Sequence, residues 1–215
     1  MSSSPRVLVA LSSCQSYEND GRNQSVRDTW LKDLPEGWDY RFFHGRSALP
    51  KDDVIVVNCD DGMNDLTHKT QGKLRWAVEH GYDFVFCCFP DTYACVERLV
   101  ACGFENHDYV GTFYCHPGGI PYCQGGAGYF LSRRAAEIVA AANLPHYIAE
   151  DCIVGDTLFR HNVRRFDCAD FHQSGEGPLK RNTTITSHLS TRLGGHTVKS
   201  AYQERQNWVD SLEEQ

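Results

Sequence analysis

Nowhere in this chain do about 18 apolar residues follow one another, the length a bilayer-spanning helix needs. The start, MSSSPRVLVALSS, places one arginine before a short apolar run that continues as a strand, so neither a secretion signal nor a membrane span is expected. Basic residues are few and scattered: 21 Lys and Arg against 28 Asp and Glu give a net charge of −7, which lacks the footprint of a nucleic-acid binder. No CxxC pair occurs among the ten cysteines, and Cys87 and Cys88 are adjacent inside an apolar run. Free buried thiols in a cytoplasmic protein are therefore expected rather than a disulfide scaffold, with the sequons at Asn23 and Asn182 unused. No Pro/Gly/Ser-rich linker and no repeat divides the 215 residues, so residues 1–215 are read as one domain. Ser12, Ser13 and Cys14 follow the first strand where a dinucleotide-binding glycine fingerprint would stand, which argues against a dehydrogenase.

What is present alternates between strand and helix. Strands are predicted at 6–12, 40–44, 54–58, 109–113 and 129–131, with a return at 163–168. A polar turn is expected at 13–21 and a helix at 22–31. Leu66, Thr70, Leu74, Ala77 and Val78 fall on one face of a helix over 65–80. Thr92 is placed as the cap of a short helix carrying Val96, Leu99 and Val100 that Gly103 ends, and Ser132 as the cap of a helix with Ile138, Val139 and Ala142 inward. A last helix spans 150–161, and 174–184 reads as a polar loop. This order describes an α/β sandwich around a mostly parallel sheet.

The densest signal is YDFVFCCFPDTY at 82–93, a nearly continuous apolar run that stops at one carboxylate, Asp91. Such a run fits a strand buried on both faces, and ligands of parallel sheets gather at the strands' carboxyl ends. Asp91 is thus a candidate ligand for a hard divalent cation, the alternative being a helix cap shared with Thr92. Glu150 and Asp151 open a helix, where they either cap it or hold a carboxylate able to take a proton from a hydroxyl. Gly125 and Gly126 belong to YCQGGAGY, either a turn or a close approach to a sugar. His172 and His188, late in the chain, are candidate imidazole ligands or structural histidines. Lys180 and Arg181 either fold over a diphosphate or sit in a solvated loop.

These segments, from about residue 7 to 190, resemble the Fringe and β-1,3-galactosyltransferase family of glycosyltransferases. RNQSVRDTW at 22–30 is similar to the family's Arg-x-x-x-Ile-Arg-x-Thr-Trp, and DLTHKT at 65–70 to its Asn-Leu-Thr-x-Lys-Thr helix. PYCQGGAGY at 121–129 is similar to its glycine-rich segment, EDCIVG at 150–155 to its Glu-Asp-Val-x-x-Gly, and ITSH at 185–188 to the late segment that carries a metal-binding histidine. The chain also resembles the N-terminal glycosyltransferase domain of chlorovirus proteins that build a capsid glycan, which would place it in the cytoplasm of an infected host.

The resemblance implies a GT-A (Rossmann-like) α/β/α sandwich, a UDP-sugar donor, a glycan or glycoprotein acceptor, and Mn2+ or Mg2+. The family's Asp-x-Asp motif aligns with Phe89, Pro90 and Asp91, so only its last acid remains. His188 becomes the expected second metal ligand, with His172 in reserve, and Asp151, beside Glu150, the expected base. Ser12, Ser13 and Asp60 at strand ends are expected to hold uridine and ribose, and Lys73 or Arg75 to reach a phosphate.

Overall fold

The computed structural model describes residues 4–115, 118–146, 149–173 and 183–189. Strand β1 (Val7–Ser12) is buried at every position, as an apolar run between two covered faces must be. Short helices α1 (Gln15–Asn19) and α2 (Arg22–Arg27) follow, then β2 (Trp38–His44) and β3 (Val54–Val56). Helix α3 (Leu66–Glu79) leads into β4 (Phe84–Cys88), β5 (Thr92–Ala94) and α4 (Val96–Ala101). Next come β6 (Tyr109–Gly111), β7 (Phe113–Cys115), β8 (Pro121–Cys123) and β9 (Tyr129–Ser132). Helices α5 (Arg133–Ala141) and α6 (Glu150–Arg160) precede β10 (Arg165–Asp167), β11 (Phe171–His172) and β12 (Thr186–His188).

Seven strands form the central sheet in the order β10-β6-β9-β4-β1-β2-β3. It is parallel except at β9, which runs antiparallel to β4 and β6. Alternation along β1 sends Val7, Val9 and Leu11 to one face and Leu8 and Ala10 to the other, and each face has its own core. On the first face Val26, Trp30, Leu31 and Leu99 cover the sheet; on the second, Leu74 and Ala77 of α3, Val139 of α5 and Val154 and Leu158 of α6 do so. The result is the expected three-layer α/β/α sandwich. Ser132 caps α5 by accepting from the Ala135 N–H at 3.3 Å, and Gly103 ends the α4 segment at φ +77°. All ten cysteines are free thiols, and no helix among the described residues is long and apolar enough to cross a membrane.

The structure corrects several local expectations. The run at 82–93 is two strands: β4 stops at Cys88, the chain turns through Phe89, Pro90 and Asp91, and β5 joins a separate small sheet, β11-β12-β5. Thr92 caps no helix; Cys95 stands at the cap of α4, while Thr92 donates its hydroxyl to the Gly126 carbonyl at 2.9 Å. Part of the expected polar turn is α1, a helix without a buried residue and so without apolar periodicity to betray it. The sequon residue Asn23 is fully buried, bonded to Ser13, Glu18 and His44; Asn182 lies outside the described residues.

Helix α6 lies against β8 with backbone nearly touching backbone. A Cβ on Gly155 would come within 2.5 Å of Tyr122 Cβ and 2.8 Å of the Pro121 carbonyl oxygen, so the final glycine of the EDCIVG segment is a packing requirement. Gly155→Ala is expected to cost about 1–3 kcal/mol of stability by overpacking, read from urea denaturation midpoints at unchanged m-value.

Candidate active site

Past the carboxyl end of β4, a cleft of about 450 Å³ opens between the Phe89–Asp91 turn, the glycine segment and the start of α6. Asp91, Gly125, Gly126, Glu150, Asp151 and His188 all line it, together with Tyr17, Met63, Leu66, Phe89, Ala149 and Gln173. The residues brought together come from widely separated parts of the chain.

Asp91 and His188 meet because β12 pairs antiparallel with β5, setting His188 opposite Thr92, and because the Leu189 N–H donates to the Asp91 carbonyl at 2.7 Å. His188 Nε2 lies 3.3 Å from Asp91 Oδ2, while Nδ1 is 3.1 Å from the Gln173 carbonyl oxygen. Burial pulls the His188 pKa down, but the hydrogen bond and charge of Asp91 outweigh it and raise the value above normal. Asp91 Oδ1 is buried without a hydrogen bond among the described residues, although a buried carboxylate oxygen ordinarily has a partner. A carboxylate oxygen left over beside an imidazole, at the mouth of a cleft, is a donor set that suits a divalent metal ion.

Glu150 and Asp151 are adjacent but chemically different. Asp151 accepts the Gly125 N–H on Oδ2 at 3.0 Å and the Cys152 N–H on Oδ1 at 2.9 Å, which fixes its carboxylate at the cleft wall. Glu150 is only 3% exposed, and this burial pushes its pKa up to about 7, against the pull of the Lys73 ammonium, with the nearby charge of Asp151 adding to the rise. The Tyr129 hydroxyl donates to its Oε2 at 3.2 Å. Gly125 and Gly126 make room for these groups, since a Cβ would lie 2.9 Å from Glu150 Oε1 at the first and 2.8 Å from His188 Cγ at the second.

Other expected residues go elsewhere. Ser12 and Ser13 are buried: Lys73 Nζ donates to Ser12 Oγ at 2.8 Å, and Ser13 Oγ donates to Asn23 Oδ1 at 2.8 Å. Lys73, itself buried, therefore sits beneath the strand end rather than in the cleft, and Arg75 donates to the Ala140 carbonyl at 2.9 Å against α5. Asp60 is exposed and paired with Arg46 at 2.7 Å. Its neighbour Asp61 holds the inward position, where burial raises its pKa but Lys69 at 2.8 Å, Ser47 and the Gly45 N–H bring it down to about 2. His172 does not close a three-ligand set with Asp91 and His188: among the described residues, the one group of three His, Cys, Asp or Glu ligand atoms within 4.8 Å of one another is Asp65, His68 and His146. Lys180 and Arg181 lie outside the described residues. Sequence reasoning passed over Tyr17, whose ring lines the cleft with the Arg22 guanidinium 3.9 Å from its centroid. The signal available was Tyr17's place in the segment after the first strand.

No protein-family model matches the sequence. Two solved structures of the glycosyltransferase GlyE from Streptococcus pneumoniae TIGR4, one an apo form, superpose on the chain with TM-scores of 0.56 and 0.54 at 10% and 11% identity. The chain has the fold of a glycosyltransferase. Each match covers 99% of this chain but 63% of GlyE, so the chain spans less than two thirds of that protein's length.

The raised Glu150 pKa has a measurable consequence for stability. A carboxyl whose folded value lies above its unfolded one contributes stability that is full below about 4.5 and is lost as pH rises through about 7. Measured by urea denaturation across that window, wild type should lose stability relative to Glu150→Gln between these two values, with the difference constant above about 7.

Proposed function

We propose that residues 1–215 form one catalytic domain that transfers a hexose or deoxyhexose from a UDP-sugar to a hydroxyl of a glycan or glycoprotein. The observation that carries this reading is the convergence of the Asp91–His188 pair and the Glu150–Asp151 pair in one cleft, on a glycosyltransferase fold. The Fringe and β-1,3-galactosyltransferase motifs agree with it. Trp30, last in RNQSVRDTW, donates its indole N–H to the Thr92 carbonyl at 3.1 Å, beside Asp91, and Lys69 of DLTHKT donates to the Ser13 carbonyl at 2.6 Å. A cytoplasmic setting, that of an infected host cell for a viral protein, accords with the free thiols.

Asp91 and His188 would hold Mn2+ or Mg2+, which when bound supplies charge stabilisation to the departing diphosphate. The acceptor hydroxyl oxygen bonds to the anomeric carbon as the bond from that carbon to the diphosphate oxygen breaks. The nucleotide leaves as an anion and the hydroxyl proton passes to Asp151, an inverting displacement. Its two backbone N–H donors hold the Asp151 carboxylate in place for that transfer. Phe89 and Tyr17 supply apolar walls that exclude water from the reacting carbon.

One observation favours a second reading, a non-catalytic module that binds nucleotide-sugar or glycan: Phe89, at the place of the family's first acid, lines the cleft. Isothermal titration with UDP-sugars separates the two, because the module would bind without metal dependence and without turnover. For the enzyme, Asp91→Asn should lower Mn2+-dependent nucleotide release by about a hundredfold or more, as loss of several kcal/mol of charge stabilisation requires. Asp151→Asn should lower kcat by about 10²–10⁴ while leaving donor binding intact. Undiminished release in both variants would remove the proposed site.

A further inference from the structure

A second group of metal-ligating side chains stands next to Leu66, a residue of the cleft lining, without itself lining the cleft. Asp65 ends the short turn before α3, His68 lies one helical turn further on, and His146 comes from the segment between α5 and α6. One ligand atom of each lies within 4.8 Å of the others. His146 Nδ1 is 2.6 Å from Asp65 Oδ1, and His68 Nδ1 is 3.8 Å from the same oxygen. The second distance is too long for a hydrogen bond, and His68 Nδ1 is buried with no hydrogen bond among the described residues. An imidazole nitrogen shut away from solvent and facing a carboxylate it does not reach calls for a third body between them.

We propose that Asp65, His68 and His146 bind a borderline transition-metal ion, Zn2+ foremost, which clamps the start of α3 to the segment leading into α6. Two imidazoles and one carboxylate suit Zn2+ and its neighbours, whereas Mg2+ and Ca2+ favour shells made mostly of oxygen. Tetrahedral bonds of about 2.0–2.1 Å put ligand atoms roughly 3.3 Å apart. The distances of 2.6 and 3.8 Å bracket that spacing, so small side-chain adjustments bring the donors onto one ion. The carboxylate is already oriented from outside, because Asp65 Oδ2 accepts the Asp60 N–H at 2.8 Å, the kind of supporting bond that accompanies metal ligands.

Position gives the site its consequence. Met63 and Leu66, which flank Asp65, and Ala149, Glu150 and Asp151, which follow His146, all line the cleft. An ion joining Asp65 and His68 to His146 ties the start of α3 to the segment before α6, where the acid pair stands. This ion is distinct from the one proposed at Asp91 and His188, and neither site depends on the other.

The test is a titration of the full chain with Co2+ alone, read by the visible absorption of tetrahedral Co2+ and its displacement by Zn2+. His146 is 73% exposed, so His146→Ala removes a ligand without opening the core. Wild type should bind one Co2+ at this site with that absorption, and Zn2+ should displace it and raise the melting temperature. In His146→Ala and His68→Ala, affinity should fall by at least about tenfold, the lower bound of what loss of even an outer partner costs a metal site. Asp91→Asn, whatever it loses at its own site, should keep the tetrahedral Co2+ absorption of wild type. Absence of the absorption, its survival in both histidine variants, or its loss in Asp91→Asn would each overturn the proposal.

Discussion

The antiparallel pairing of β5 with β12 puts an imidazole beside Asp91, and the chemistry proposed for the cleft depends on it. The ladder is only three residues long, from Thr92 opposite His188 to Ala94 opposite Thr186. Side-chain bonds reinforce it: Trp30 donates to the Thr92 carbonyl, Thr92 donates to the Gly126 carbonyl, and Thr186 donates to the Ala127 carbonyl. The turn after β4, the glycine segment and β12 are thereby locked to one another. A strand-end carboxylate becomes a two-residue donor set only through this third sheet element.

Beneath the cleft, two buried lysines support the strand ends. A buried ammonium is costly unless its protons are taken up. Lys69 divides its protons between the Ser13 carbonyl and Asp61, while Lys73 bonds Ser12 Oγ and acts through its charge on Glu150. The strand end of β1 is thus fixed from below, and the acid at the start of α6 is kept within a solvent-excluded electrostatic network. Glu150, with its raised pKa, is suited to holding a proton near neutral pH, whereas Asp151 faces the cleft with its orientation set by backbone donors.

Elements defined by local pattern were legible in the sequence. The apolar face of α3, the unbroken burial of β1, the Ser132 cap and the stop at Gly103 all follow from residues within a few positions of one another. The place of Asp91 past a buried strand was legible as a single carboxylate after an apolar run, although the strand itself stops at Cys88. What was not legible rests on non-local pairing or on unusual burial. β11 and β12 are two and three residues long and carry no periodicity of their own. Lys73 looks from its type like a side chain reaching for a phosphate, yet it lies 1% exposed under Ser12. Asp60 and Asp61 are indistinguishable by sequence, and only the approach of Gly45 and Lys69 selects the second. The cluster of Asp65, His68 and His146 requires α3 and the segment before α6 to be neighbours, which the spacing of the residues does not reveal.

Anomalous diffraction reads whether the Asp91–His188 pair organises a metal-dependent donor site. In crystals soaked with UDP and Mn2+, an anomalous peak is expected within bonding distance of Asp91 Oδ1 and His188 Nε2, with the diphosphate beside it in the cleft. Nucleotide bound in that cleft with no Mn2+ at this pair, or Mn2+ and nucleotide bound together somewhere else, would contradict that role for the pair.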